Sequence, residues 1–144
     1  MKRLLYIPLC IALLLSCTEK EDMSAMTAYA FETIQGKWYL TAVEKNSIDG
    51  TKNIWEQVAA GKADTLVFRA DGVVLDASGK PACCVPGAFI INGNLMEVRP
   101  QTAVPANPLC ASVNCVNCPS WDIQLNGNEM IMTQCNKPRL KFIR

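Results

Sequence analysis

The chain has 144 residues, half of them hydrophobic and 19% charged, which suits one globular domain and little more. Its 14 basic and 13 acidic residues nearly cancel, so it lacks the basic footprint of a nucleic-acid binder. Histidine is absent, which excludes His-based triads, His general bases and His-ligated metals.

At the start of the chain, Lys2 and Arg3 precede an apolar run over 4–15, then Ser16 and Cys17. A basic head followed by a short apolar run reads as a secretory signal. The run is interrupted by Pro8 and falls short of the ~20 residues needed to cross a bilayer core. Leu14-Leu15-Ser16-Cys17 resembles the lipobox of bacterial lipoproteins. That resemblance implies cleavage before Cys17, a diacylglyceryl group on its thiol and a second acylation at the new amino terminus. More than one acyl chain makes such an anchor stable. Residues 1–16 are then the signal peptide, and Cys10 leaves with them. Lys20-Glu21-Asp22 reads either as a solvated tether or, by resemblance, as the export tag of some Gram-negative lipoproteins. The expected location is the outer membrane, lipid-anchored through Cys17, on its periplasmic face or at the cell surface.

Residues 17–33 form the tether, ending in a short amphipathic turn marked by Met26, Ala30, Phe31 and Ile34. The domain proper is 34–144. From Gly36 the apolar period becomes two: Trp38, Leu40 and Ala42 share one face of a first strand over 36–44. Asn53 with Glu56 looks like a helix start and Gly61 like its stop, so a short helix is expected in the first connection. Further strands are predicted over 65–69, 73–76, 88–91, 95–99, 121–125, 129–134 and 139–143. Tight-turn signals at Ala70-Asp71-Gly72, Asn92-Gly93-Asn94 and Asn126-Gly127-Asn128 join three pairs of them. The predicted fold is all-β: an eight-stranded antiparallel up-and-down barrel in which the last strand pairs with the first, abolishing both edges.

In such a meander alternate connections lie at opposite ends. The three tight turns share one closed end, and the longer loops share the other. Cys83, Cys84, Cys110, Cys115, Cys118 and Cys135 all fall in or beside those longer loops. Disulfides, a metal site and a redox pair are the three readings. An exported chain meets an oxidising compartment, which favours disulfides. Cys115-Val116-Asn117-Cys118 has zinc-knuckle or redox spacing, but Cys83-Cys84 is a poor second half, and Pro119 followed by a strand does not open a helix. Six cysteines allow fifteen connectivities. Cys83 and Cys84 are expected to reach the 110–118 group and Cys135 rather than each other. No metal and no cofactor are expected.

Gly36-Lys37-Trp38 resembles the G-x-W signature of lipocalins and their short bacterial lipocalin-like relatives, and with the surrounding pattern the resemblance covers 34–144. It implies that Trp38 packs across the closed base against an arginine from a late strand. Arg144, placed at that end by parity, is the better candidate over Arg139. It also implies a non-catalytic binding module for a small apolar ligand, with Phe68, Trp121, Met130 and Met132 lining the interior and Trp55 near the mouth. The bland alternative for each is core packing, since eight strands enclose a space that side chains can fill. A different function is an interaction protein whose stapled loops face a protein or glycan. The carboxylates Glu44, Asp49 and Glu97 form no evident pair and no nucleophile has a base beside it, so an enzyme is not expected. A monomer is expected, with no nucleic-acid partner.

Overall fold

The computed structural model describes residues 31–46, 52–59 and 61–144. The expected signal peptide, Cys17, the Lys20-Glu21-Asp22 segment and Asp49 lie outside the described residues. Among the described residues no helix is long and apolar enough to cross a membrane.

A helical turn at 31–34 leads into β1 (Gly36–Asn46). Then follow β2 (Asn53–Gln57), β3 (Thr65–Phe68), β4 (Val74–Leu75), β5 (Ala88–Ile91) and β6 (Asn94–Glu97). A 3-10 turn at Pro108–Ser112 precedes β7 (Trp121–Asn126), β8 (Glu129–Gln134) and β9 (Leu140–Ile143). All nine strands belong to one curled sheet of order β4-β3-β1-β9-β8-β7-β5-β6, with β2 added on β1. The last strand does pair with the first: Leu40 faces Phe142 and Val43 faces Leu140.

Three sequence expectations need correction. The predicted helix at 53–61 is not there; Asn53–Gln57 is strand β2, antiparallel to the far half of β1. A helical nucleus this short is unfavourable in isolation. Strand β3 covers β1 only from Gly36 to Tyr39, so the backbone from Ala42 to Asn46 needs another partner, and β2 supplies it.

The meander also breaks. Strand β7 pairs with β5 in parallel, rather than with β6, and β6 is left on the edge. Side chains explain the choice. In β5, Phe89 and Ile91 are buried and Ala88 and Ile90 half-buried, which suits an inner strand. In β6, Asn94, Leu95 and Glu97 are exposed, and a short edge strand carrying charge is well placed. The 98–120 connection is long enough for the crossover that a parallel pair demands.

Finally, no ladder joins β4 to β6 among the described residues, so the sheet is not a barrel closed by strand pairing throughout. Side chains and covalent bonds bridge the gap instead. The Asp71 carboxylate accepts the Gln101 N–H at 2.9 Å and the Val73 N–H at 3.3 Å. Arg69 donates to Asp71 and to the Thr102 hydroxyl, both at 2.6 Å. Asn107 donates to the Pro81 carbonyl at 2.9 Å.

Burial by itself would raise the Asp71 pKa. The Gln101 and Val73 N–H groups and the Arg69 charge outweigh it and hold the carboxyl below its ordinary value of 3.8. A depressed folded-state pKa means stability that is complete above the ordinary value and is lost as pH falls through the folded one. Asp71→Asn is therefore expected to cost about 1–3 kcal/mol at neutral pH. Below about pH 4 the penalty should shrink as the wild type loses the same charge. Urea unfolding of both proteins at pH 7 and pH 3 checks this.

The crossover leaves strand directions as a meander would have them. Strands β1, β4, β6 and β8 run one way and β3, β5, β7 and β9 the other. The tight turns at 70–72, 92–93 and 127–128 thus share one end of the strands, and the loops 76–87, 98–120 and 135–139 leave from the other, with Gln101 and Thr102 reaching back to the 70–72 turn.

Inside the curl, Trp38, Phe68, Phe89, Ile123, Met130, Met132 and Phe142 are completely buried. Phe89 is the hub: its ring centroid lies 5.8 Å from those of Phe68 and Trp121 and 6.2 Å from that of Phe31. These side chains belong to one buried cluster. Gly72 belongs to this packing, because a Cβ there would lie 2.6 Å from the Phe31 ring and its φ is +81°.

Candidate functional site: a cleft at the disulfide-stapled end

At the closed end, Trp38 donates its indole N–H to the Ile34 carbonyl at 2.7 Å. The Arg144 guanidinium lies 4.8 Å from the Trp38 ring centre. Arg144 also donates to the carbonyls of Thr33 (3.2 Å) and Gly127 (3.4 Å). These are long bonds on an exposed residue, so its net contribution is about 0.5–1 kcal/mol. Gly36 has a φ of +122° with open space where a Cβ would point, so its backbone angle, not crowding, requires glycine. This end is fully packed.

Trp55 lies on the outer face of the sheet, opposite Glu44 and close to Arg139 of the 135–139 turn. Beyond a bulge in β1 between Leu40 and Ala42, Ala42 faces Lys141 and Gln57, while Glu44 faces Trp55. Because Val43 and Leu140 pack on the core, Ala42, Glu44, Trp55 and Lys141 share the outer face. There the Trp55 ring has Lys141 at 5.0 Å and Arg139 at 5.6 Å. Each cation has its own carboxylate: Arg139 makes a two-point pair with Glu44, and Lys141 reaches Glu129 at 3.1 Å. The Arg139 hydrogen bond is the main cause that lowers the Glu44 pKa, and Glu44 raises that of Arg139. Glu97 pairs with Arg99 on the surface. Phe68, Trp121, Met130 and Met132 are all core side chains, packed against one another.

The opposite end is held by three disulfides: Cys83–Cys110, Cys84–Cys115 and Cys118–Cys135. The first two tie the 76–87 loop to the 98–120 loop; the third ties the latter to the turn after β8. Among the described residues no group of three or more His, Cys, Asp or Glu is placed to hold a metal ion. The 98–120 loop is further fixed by Asn107, whose side chain caps the 3-10 turn through the Leu109 N–H. Between Arg99 and Asp122 this segment has no charged residue. Among the described residues it carries four of the eight exposed large apolar side chains: Val104, Leu109, Val113 and Val116.

Between these loops lies a cleft of about 350 Å³. Trp121, Val113 and Val116 supply its apolar surface, together with the cystine groups of Cys83, Cys84, Cys118 and Cys135. Its polar groups are Gln134, Asn136 and Lys137. Two of the three non-glycine residues with positive φ among the described residues, Cys84 (62°) and Cys135 (51°), sit on this cleft. Such backbone costs about 1–3 kcal/mol per residue and persists only where the surroundings enforce it. Here each residue is anchored through its own disulfide. A larger, more open hollow of about 540 Å³ lies alongside, lined by Glu44, Lys45, Asn46, Asn136, Lys137 and Pro138.

Of the residues singled out from sequence, the structure brings Cys83, Cys84, Cys118, Cys135 and Trp121 together at one cleft. It keeps Phe68, Met130 and Met132 in the core, and Trp55 on the outside. Val113, Val116, Gln134, Asn136 and Lys137 have no motif of their own. Only Val113 and Val116 lie in the charge-free run from Pro100 to Trp121. No protein-family model, curated protein or solved structure matches this chain.

Proposed function

We propose that the chain is a lipid-anchored, non-catalytic binding protein of the cell envelope, built as a lipocalin-like domain whose ligand site is the stapled cleft rather than the interior. The observation that carries this reading is a filled interior beside a preformed, mostly apolar cleft of about 350 Å³. That volume lies at the lower end of the range for small-molecule sites. Stapling by disulfides reduces the ordering cost on binding. Trp38 under Arg144 at the closed end, and the pairing of first and last strands, support the lipocalin-like reading. The described chain enters at the closed end, where Arg144 bonds to Thr33. A tether from acylated Cys17 would join there, with the cleft at the far end. The outer membrane, on either of its faces, is the proposed location, and the protein acts as a monomer.

Native mass spectrometry of the mature domain tests this. Val116 is 65% exposed, so Val116→Trp can fill the cleft without disturbing the core. A small apolar adduct on the wild type that Val116→Trp lacks supports the proposal. An adduct retained equally by the variant places the ligand elsewhere and contradicts it.

A second reading has its own observation. The exposed Leu109, Val113 and Val116 on a charge-free, rigid loop also suit an apolar surface on a protein partner. Leu109 is 65% exposed and Val116 borders the cleft, so Leu109→Asp separates the two readings. It weakens partner binding and leaves small-ligand binding unchanged.

A further inference from the structure

The cleft has one charged residue among its lining, and that residue is a cation. Lys137 follows Asn136 in the turn after β8, held by its own N–H to the Gln134 carbonyl at 3.0 Å. None of the five ion pairs among the described residues involves Lys137. Nor does any Asp or Glu line the cleft. Gln134 and Asn136 add neutral amide donors to the lining. Against them stand Trp121, Val113, Val116 and the cystine sulfurs, which offer no charge and little hydrogen bonding. The lining thus combines a larger apolar part with a small polar part of positive sign.

Taking ~30 Å³ for each water-sized unit, 350 Å³ holds about a dozen non-hydrogen atoms. That is the size of one aromatic ring with a short alkyl arm. We propose that the ligand is an apolar carboxylate of this size, its hydrocarbon part against Trp121, Val113 and Val116 and its carboxylate on Lys137, with the Asn136 and Gln134 amides beside it. Glu44, which shares the adjoining hollow with Lys137, is held by Arg139, and an ammonium with no carboxylate in its own cleft gives a charge-assisted hydrogen bond that a neutral head group cannot match. The inference deepens the small-ligand reading above and rests on it.

The test uses 4-phenylbutyrate and the uncharged 4-phenylbutyramide, which have the same shape, titrated calorimetrically into the mature domain with its disulfides intact. The acid is expected to bind about fivefold tighter than the amide, the size of one solvent-accessible ion pair. Lys137→Met should remove that preference and leave amide affinity unchanged, and raising the salt concentration should weaken the acid alone. Val116→Trp should abolish both. Equal binding of acid and amide to the wild type overturns the carboxylate assignment and leaves the apolar site standing. Failure of both to bind overturns the small-ligand reading itself. A preference that survives in Lys137→Met refutes the role given to that side chain.

Discussion

Trp38→Ala is expected to cost the fold about 3–5 kcal/mol, the range for a large aromatic removed from a packed core. A domain of this size has a total of about 5–15 kcal/mol. The variant should therefore be close to unfolded at room temperature. Three losses combine. The fully buried indole leaves a cavity where the helical turn meets the sheet, because Ile34 and Phe31 lean on the same core. The Ile34 carbonyl loses the donor it has at 2.7 Å. Arg144 loses the ring it covers. Trp38→Phe separates these effects: it keeps most of the apolar volume, removes only the donor, and should cost about 1–2 kcal/mol. Urea unfolding followed by circular dichroism reads both. A loss below about 1 kcal/mol for Trp38→Ala would mean that the closed end is not packed as described.

Reduction of the disulfides has the other large effect. The three bridges span separations of 27, 31 and 17 residues. Loop-closure entropy gives each, taken alone, about 3–4 kcal/mol. The first two link the same pair of loops through neighbouring cysteines, so their contributions are less than additive. Breaking one, as in the double variant Cys84→Ser with Cys115→Ser, leaves the loops joined by the other. Breaking Cys118–Cys135 frees the 98–120 loop from the turn after β8. The expected order is therefore a small loss for the first double variant and a larger one for Cys118→Ser with Cys135→Ser. Complete reduction should remove about 5 kcal/mol or more, a large share of total stability. The reason goes beyond chain entropy. Strand β4 has only two residues, and no ladder joins it to β6. The covalent links and the Asp71 bonds are what hold the two margins of the sheet together. Thermal melts of oxidised and reduced protein give the comparison, and coincident melts would contradict it.

Much of the fold was legible because its signals are local. Three tight turns announced themselves through glycine at positive φ, and alternation in β1, β7 and β8 set which residues face inward. Strand direction follows from turns and loops alone, so the grouping of the cysteines at one end survived the break in the meander. Pairing was harder to read. Nothing local says that β7 prefers β5 to β6; the preference comes from how Phe89 and Ile91 are covered and Leu95 is not. Residues 53–57 carry a helix-like cap and an apolar spacing, and only the unpaired backbone of β1 turns them into strand β2. The outward position of Trp55 is equally hard to read, since a register shift in β1 between Leu40 and Ala42 reverses which residues look outward. The cleft was the least legible part. Its walls come from three separate loops and meet only through crossed disulfides, whose partners cannot be read from spacing.

The proposed binding site lies outside the buried core. Amide chemical-shift mapping of the isotope-labelled mature domain during titration with 4-phenylbutyrate tests this most directly. Shifts should concentrate at Cys84, Val113, Val116, Gln134, Asn136 and Lys137, with Ile91, Met96, Met130 and Phe142 unmoved. Shifts centred on those four interior residues, with the stapled loops silent, would contradict the account.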